Sequence, residues 1–239
     1  MANKSRKRTG IRGWLVRLRR AALVWLGRAM LALLALVVLA VAIYRFVDPP
    51  LTYLTFTEKR RLGQISQSWV ALSDVSPDMA RAVVAAEDAN FCLHWGFDMG
   101  EIRKAVAGGA ERGASTISQQ VVKNVYLWPA SRWERKAAEA VITPIVELLW
   151  PKARILEVYL NVAEFGEGVF GIEAAARKNF GTSAARLTLA QGALLAAVLP
   201  NPKARSAAAP TQFLKDRAAD IAIGAASLEA SGRAACFED

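Results

Sequence analysis

The sequence predicts a mainly α-helical protein in which one helical domain follows a single N-terminal transmembrane helix. Two observations carry this prediction. An apolar stretch, 21–47, directly follows a basic N-terminal tail. Beyond it, apolar residues recur at the three- and four-residue spacing of amphipathic helices, and no alternating run is long enough for a substantial sheet. The 239 residues leave room for about one globular domain besides the N-terminal segment.

The N-terminal segment consists of the basic tail, 1–20, and the apolar stretch. Nine Lys and Arg side chains and no acid occur up to Arg28, so the net charge of +10 belongs almost wholly to this segment. A nucleic-acid-binding domain would carry its cations on the domain itself, so we expect no nucleic acid as partner. The apolar stretch has the length, ~20 residues, that crosses a bilayer. The positive tail predicts a cytoplasmic N-terminus and a domain outside the inner membrane, in the periplasm.

The apolar stretch has two other interpretations. Residues 40–42, Ala-Val-Ala, resemble a signal-peptidase site, which would make the segment a cleaved signal peptide. A buried core helix is disfavoured because 31–39 is apolar all round and follows a polybasic run. We favour an uncleaved anchor. Residues 51–56 come directly after it and fit either a segment that rests in the membrane interface or a short buried strand or packing segment.

The domain, 48–239, begins after Pro49-Pro50, which forbids further helix. Ser76 and Ser115 are expected to cap the first two helices, with a proline in the first turn after Ser76. Helices are predicted at 79–91, 116–126, 133–150 with an interruption at Pro144, 152–160, 171–179, 188–199 and 211–230.

The two cysteines, Cys92 and Cys236, lack the spacing of a metal site. A disulfide is one interpretation, and two unpaired thiols are the one we favour. The single histidine, His94, cannot form a multi-histidine metal centre. We therefore predict no metal ligands in the chain.

The first candidate for chemistry is the segment 87–96, Glu-Asp-Ala-Asn-Phe-Cys-Leu-His-Trp-Gly. Adjacent helical carboxylates point about 100° apart, so Glu87 and Asp88 do not share a proton. One should face a cleft while the other makes a structural hydrogen bond or ion pair. Glu87 ends an apolar run, 82–86, where a carboxylate is unusual unless paired or reactive. The alternatives are a surface acid at Glu87 and a structural histidine at His94.

The second candidate is the segment 113–124, where a glycine-containing loop leads into a polar helix face. Hydroxyls, amides and a cation at a helix start suit a sugar or anionic ligand. The alternative is an amphipathic helix with an uncharged solvated face. The polar face consists of Thr116, Gln119, Gln120 and Lys123.

The third candidate, 132–139, is rich in cations. Lys136 and Glu139 lie three residues apart and share a helix face, so an intrahelical ion pair is the simplest interpretation.

Together these segments resemble the peptidoglycan glycosyltransferase family. Its motif Glu-Asp-x-x-Phe-x-x-His-x-Gly is matched at Glu87, and Gly-Gly-Ser-Thr-Ile-Thr-Gln-Gln followed by Lys-Asn is matched from Gly113. Arg-Lys-x-x-Glu begins at Arg135. Further ordered matches, including Ile-Leu-x-x-Tyr-Leu-Asn, extend the resemblance over 76–202. No Ser-x-x-Lys occurs in the sequence, so the chain resembles the monofunctional branch without a transpeptidase domain.

The sequence departs from the family pattern at three positions. Ala114 replaces the second glycine and Ser118 replaces a threonine. Ser131 stands where family members commonly have an arginine, and the neighbouring Arg132 is a candidate substitute.

The resemblance implies a lysozyme-like helical domain that polymerises lipid II with inversion, forming β-1,4 bonds. Glu87 would be the general base, and Glu139 a second carboxylate that orients the substrate or a diphosphate-bound metal. The cations that would bind the diphosphate are Lys123, Arg132, Arg135 and Lys136. The groups that would hydrogen-bond sugar and phosphate oxygens are Ser115, Thr116, Gln119 and Gln120.

No cofactor is required by this reasoning, although a divalent Mg or Mn ion with the diphosphate is an open expectation. The expected partners are lipid II, the growing glycan strand, the membrane and a cell-wall synthesis or division complex. Two rival functions are a lytic transglycosylase, which would cleave the polymer, and an inactive membrane-anchored scaffold. Residues 203–239 carry no recognisable motif.

Overall fold

The computed structural model describes residues 4–108, 115–128 and 132–238. The chain divides into two compact units, 1–44 and 45–239. The first unit is built on one helix, α1 (Lys4–Tyr44). Its part Val16–Tyr44 contains an 18-residue window with a mean hydropathy of 2.5 and is long and apolar enough to cross a membrane. The chain therefore carries the single apolar N-terminal helix that the sequence predicts for a membrane anchor.

The second unit is mainly helical, as predicted. Three short 3-10 turns, at Leu72–Asp74, Phe91–Leu93 and Ala184–Arg186, supplement its helices. The helices are α2 (Tyr53–Leu62), α3 (Pro77–Glu87), α4 (Met99–Ala107), α5 (Ile117–Tyr126), α6 (Trp133–Leu149), α7 (Lys152–Val162), α8 (Ile172–Phe180), α9 (Leu189–Val198), α10 (Gln212–Ala230) and α11 (Ala235–Glu238). The strands are β1 (Ser66–Gln67), β2 (Glu164–Gly166) and β3 (Val169–Phe170).

Two groups of helices form the core of this unit. In the first, α3, α9 and α10 pack against one another, and in the second, α5 lies against α6 and α7. Met79 on α3, Ile117 on α5 and Tyr159 on α7 are among its largest fully buried side chains. Burial of such apolar surface is the main favourable term in folding. The ends of α3 and α5 meet at the candidate site.

A small sheet closes one side of the unit, in the order β1-β3-β2, with β1 parallel and β2 antiparallel to β3. Asn161, the last residue of the family motif Ile-Leu-x-x-Tyr-Leu-Asn, holds the segment after β1 in place. Its Nδ2 donates to the Val70 carbonyl at 2.8 Å, and its Oδ1 accepts from the Val70 amide at 2.9 Å. This motif residue therefore stabilises the fold.

Several element boundaries differ from the sequence predictions. Helix α3 ends at Glu87 instead of 91, because Asp88 leaves the helix to bind the start of α5. The side chain that caps α5 is Thr116, not Ser115, and Ser76 makes no side-chain cap bond. Helix α6 continues through Pro144 without interruption.

Three helices, α2, α4 and α11, were not predicted. Part of 51–56 forms the first turn of α2, which Thr52 caps through a reciprocal pair of hydrogen bonds with Thr55, so the strand alternative is wrong.

The prediction of two unpaired thiols is also wrong. Cys92 and Cys236 form a disulfide, with Cα atoms 5.7 Å apart. Helix α11 packs beside the 3-10 turn of the first motif, where the Phe237 and Phe91 rings are 6.3 Å apart. The disulfide thus attaches the motif-free C-terminal segment directly to the candidate site.

Candidate active site

The adjacent carboxylates Glu87 and Asp88 have separate roles, as predicted. Asp88 is buried and structural: its Oδ2 accepts from the Ile117 amide at 2.9 Å, and its Oδ1 lies 2.8 Å from His94 Nε2. The Gly96 amide donates to His94 Nδ1 at 3.1 Å, which places the ring proton of neutral His94 on Nε2, facing Asp88. His94 therefore holds the loop together instead of acting as a base.

Glu87 faces a cleft. Its Oε2 accepts a hydrogen bond from Gln120 Nε2 at 2.8 Å, and Gln120 Oε1 in turn accepts from the Tyr159 hydroxyl at 3.3 Å. Burial raises the pKa of Glu87, while the hydrogen bond from Gln120 and the charges of Arg217 and Lys123 act against that rise. A carboxyl with this environment is suited to accept a proton.

The cleft beside Glu87 encloses about 300 Å³. Its walls are more polar than apolar, in keeping with a sugar ligand. The lining residues include Glu87, Asn90, Asp98, Glu101, Ser115 and Thr116.

Thr116 and Gln119, predicted to contact substrate, are buried and bind each other. The Thr116 amide donates to Gln119 Oε1 at 3.0 Å, and the Gln119 amide donates to Thr116 Oγ1 at 3.2 Å. The Thr116 hydroxyl also donates to the Gly96 carbonyl at 2.7 Å. This capping box gives both residues a role in the fold, and a contact with substrate stays a prediction.

Glu139 is 2% exposed and organises a cluster of cations. Arg135 pairs with its Oε2 at 2.8 Å, and Lys136 pairs with its Oε1. Lys136 Nζ also donates to Ser115 Oγ at 3.1 Å. The pairing of Lys136 with Glu139 agrees with the simple interpretation of this segment, but Glu139 lies in the interior and not on a solvated face.

Lys123 lies within the fields of both carboxylates. Burial lowers its pKa, whereas the charges of Glu139 and Glu87 raise it. Within the described part of the chain, its ammonium makes no hydrogen bond or ion pair. Lys123 is therefore a cation that a substrate anion can pair with, placed between Glu87 and the cluster around Glu139.

Arg132 lies exposed at the residue that precedes α6. Ser131, Gly113 and Ala114 fall outside the described residues. Whether Arg132 substitutes for the arginine missing at Ser131 therefore stays a prediction.

A buried network that sequence reasoning missed supports the first motif. Lys152 Nζ donates to Glu147 Oε1 and to the His94 carbonyl, each at 2.8 Å, and lies 4.5 Å from the centre of the Phe91 ring. Ser118 donates to the same Glu147 oxygen. Lys152 follows Pro151 and belongs to none of the motifs, so only the fold shows that its side chain contacts the first motif.

In the described ranges, no group of three or more His, Cys, Asp and Glu side chains could hold a metal ion. Both oxygens of Glu139 are already paired with cations, so this carboxylate does not offer two free ligand atoms. A divalent ion that enters with a diphosphate stays a prediction.

The fold and the site define a class of enzyme. A carboxylate whose pKa is raised lies beside a polar cleft, and cations lie on the neighbouring helices. This arrangement suits the transfer of a sugar whose leaving group is anionic, because a base and fixed positive charges are the two requirements.

Comparison with known proteins gives the family. The protein-family model described as "Transglycosylase" matches residues 55–224 of the sequence, and the chain belongs to this family. It is 57% identical to the biosynthetic peptidoglycan transglycosylase of Jannaschia sp. (strain CCS1), over 89% of each chain. It is 48% identical to the protein of the same name from Rhodospirillum centenum (strain ATCC 51521 / SW), over 88% of this chain and 94% of the relative.

Proposed function

We propose that this enzyme polymerises the glycan strands of peptidoglycan from lipid II and has no transpeptidase activity. The observation that carries the proposal is the placement of Glu87 and Lys123, a base and an available cation, on two helices that meet at one cleft. The membership of the transglycosylase family and relatives named biosynthetic peptidoglycan transglycosylases support it.

In the reaction, the 4-hydroxyl oxygen of the acceptor sugar attacks the anomeric carbon of the growing chain. The bond from that carbon to the polyprenyl diphosphate breaks on the opposite side, so an α-linked donor gives a β-1,4 product. Glu87 takes the hydroxyl proton as the new bond forms. The diphosphate leaves with the bonding electrons and is stable as an anion, so it needs cations more than an acid.

The cations of the site stabilise the diphosphate. Lys123 supplies a charge that no side chain in the described ranges contacts through a direct ion pair or hydrogen bond. Glu139 holds Arg135 and Lys136 in fixed positions, which lowers the entropy cost of binding an anion. In this account Glu139 is a positioning residue for the cluster, whereas Glu87 contacts the reacting hydroxyl.

Apolar side chains beside the cleft suit a lipid-linked substrate. Leu93, Trp95 and Met99 are 67%, 73% and 56% exposed and line a depression that shares Asn90 and Asp98 with the cleft. Exposed apolar clusters of this kind commonly mark lipid or protein contacts. We assign this surface to the membrane side of the domain, near the polyprenyl chain.

The proposed topology has the basic N-terminus in the cytoplasm and the domain in the periplasm. Positive charge before a membrane helix favours this orientation. The Cys92–Cys236 disulfide supports it, because such bonds persist in oxidising compartments. Association with a cell-wall synthesis or division complex remains a prediction.

The function is tested by supplying purified lipid II to the full-length protein in detergent and resolving the products on a gel. A ladder of glycan polymer without peptide cross-links is expected. Incubation with purified sacculi tests the lytic alternative, in which soluble fragments would be released. If the folded protein yields neither glycan polymer nor soluble fragments, this result favours the inactive scaffold.

A further inference from the structure

Cys92 lies inside the first motif, in the middle of the 3-10 turn Phe91–Leu93. The turn begins where the Phe91 amide donates to the Asp88 carbonyl at 2.9 Å. Asp88 precedes the turn and His94 follows it, and their side chains bind each other at 2.8 Å. The position of the turn therefore determines how the residue after the candidate base meets the histidine that holds it.

The C-terminal helix α11 forms part of the environment of this turn. Phe91 is fully buried, and its ring has neighbours from two distant parts of the chain. Lys152 Nζ lies 4.5 Å from the ring centre, and the ring of Phe237, on α11, lies 6.3 Å away. Loss of α11 would remove one of these neighbours and open part of the Phe91 ring to water, which is unfavourable.

Helix α11 is too short to hold its own position. It has four residues, far fewer than the ~12–15 that an isolated helix needs for marginal stability in water. Besides its packing against α7, it is attached by an ion pair between Glu238 and Arg81 at 2.6 Å and by the Cys92–Cys236 disulfide. Ion pairs near the surface contribute little, because water screens them, so the covalent bond is the main constraint on α11.

We propose that the Cys92–Cys236 disulfide positions the catalytic motif, so that the enzyme is fully active only after a thiol–disulfide oxidant has joined the two cysteines. The catalytic part of this inference rests on the proposed function. In the oxidised protein, the bond holds α11 against the turn and keeps Asp88 and His94 in place beside α5. In the reduced protein, α11 separates from the turn, and the segment that follows Glu87 loses its fixed position while the core helices remain folded.

The two cysteines are accessible to such an oxidant, since both are partly exposed in the folded domain. The thiolate of one cysteine attacks the disulfide of an oxidoreductase and forms a mixed disulfide. The thiolate of the other cysteine then attacks the sulfur of the first, and the oxidoreductase leaves as a dithiol. The oxidoreductase thereby gains the two electrons and two protons that the cysteines lose.

His94 provides a direct probe of the turn, because it is the only histidine in the sequence. Its Nε2 proton faces Asp88, and the two side chains are 8% and 1% exposed, so this proton is shielded from water. Full-length protein without a polyhistidine tag, labelled with ¹⁵N in histidine, therefore gives one protected ring N–H signal.

The experiment compares four samples in detergent: oxidised wild type, wild type reduced with dithiothreitol, Cys92→Ala/Cys236→Ala and Glu238→Gln. Glu238→Gln is the matched control, because it removes the ion pair of α11 and keeps the disulfide. Each sample is measured by NMR at His94, by far-UV circular dichroism for the folded state and by lipid II polymerisation for kcat and KM.

We expect the His94 ring signal in oxidised wild type and in Glu238→Gln, and its loss through exchange with water in the two samples without the disulfide, at unchanged ellipticity. In those two samples kcat should fall by about 10- to 100-fold, because small misplacements of catalytic groups cost this much. KM should change little, since the cations that bind the diphosphate lie on α5 and α6.

An unchanged His94 signal or an unchanged kcat after reduction would overturn the proposal. A fall in ellipticity that accompanies the loss of activity would also overturn it, because the bond would then stabilise the whole domain instead of positioning the motif. An equal loss in Glu238→Gln would assign the position of α11 to the ion pair.

The same samples separate this inference from the proposed function. A wild-type enzyme that polymerises equally well in its oxidised and reduced forms contradicts only the role of the disulfide. An oxidised wild-type protein that makes no polymer contradicts the proposed function, while the His94 signal still tests whether the disulfide fixes the turn.

Discussion

Gln120 donates from Nε2 to the Glu87 carboxylate at 2.8 Å, and this bond fixes the orientation of the carboxylate beside the cleft. The Tyr159 hydroxyl holds the other end of the amide at 3.3 Å. Base, amide and phenol thus form one chain across three helices.

The first prediction concerns this chain. Gln120→Ala removes a hydrogen bond that lowers the pKa of Glu87, so that pKa rises and the acidic limb of kcat/KM moves to higher pH. Loss of a hydrogen bond to a charged group costs about 1.5–3 kcal/mol, which is roughly a 10- to 100-fold loss of kcat/KM. Tyr159→Phe should have a smaller effect in the same direction. A limb that does not move would show that Gln120 does not tune the base.

The second prediction concerns Lys123. Burial lowers its pKa, so its positive charge is lost at a lower pH than that of an ordinary lysine and should define the basic limb of the profile. Lys123→Arg keeps the charge and should move that limb to higher pH. Lys123→Met removes it at every pH and should reduce kcat by about 100-fold, as loss of one preorganised charge-stabilising donor does.

Glu139→Gln provides the matched test of this assignment. The Glu139 carboxylate raises the pKa of Lys123, so its removal should move the basic limb to lower pH. Polymerisation profiles measured with lipid II over a broad pH range check both variants. If the basic limb is the same in the wild type and in Lys123→Arg, a group other than Lys123 defines it.

The third prediction concerns Gly96, the last residue of the first motif. Its φ is +84°, and a Cβ there would lie 2.5 Å from Thr143 Cγ2. Gly96→Ala should therefore destabilise the domain by about 2–4 kcal/mol, from left-handed strain and overpacking together. Chemical denaturation measures the loss.

Gly181→Ala is the control for Gly96→Ala. Gly181 also has a positive φ, +62°, but its Cβ would meet no atom within 4 Å, so only the strain of about 1–2 kcal/mol remains. Thr143→Ser removes the obstructing methyl group and should restore part of the stability of Gly96→Ala. Equal losses at both glycines, with no recovery in the double variant, would contradict the packing argument.

The fourth prediction concerns the disulfide. It closes a loop over a sequence separation of 144 residues, for which loop-closure entropy gives a stabilisation of up to about 5 kcal/mol. A reductant should lower the denaturation midpoint of the wild type to that of Cys92→Ala/Cys236→Ala and leave the double variant unchanged. If the reductant alters both proteins equally, its effect does not act through this bond.

The sequence predicts the long helices and the division of labour between Glu87 and Asp88, because helix periodicity and the angle between adjacent side chains are local properties. Thr116 and Gln119 show the limit of prediction from the local sequence pattern. Hydroxyls and amides at a helix start serve a capping box or a ligand equally well, and only the tertiary structure shows that these two bind each other. Local pattern cannot distinguish the two uses.

The other features that the sequence did not predict depend on contacts between residues far apart in the chain. Cys92 and Cys236 meet only because α11 packs against the first motif, and Lys152 reaches His94 only through the packing of α7. Contacts between distant segments do not appear in any local pattern.

The central claim is that Glu87 is the base of a glycan polymerase. Its most direct test compares full-length wild type with Glu87→Gln on purified lipid II, with Glu134→Gln, an exposed acid on α6, as control. We expect a polymer ladder from the wild type and the control and, since removing a general base costs about 10²–10⁴-fold, almost none from folded Glu87→Gln. Polymerisation by Glu87→Gln at a rate near that of the wild type would contradict the account.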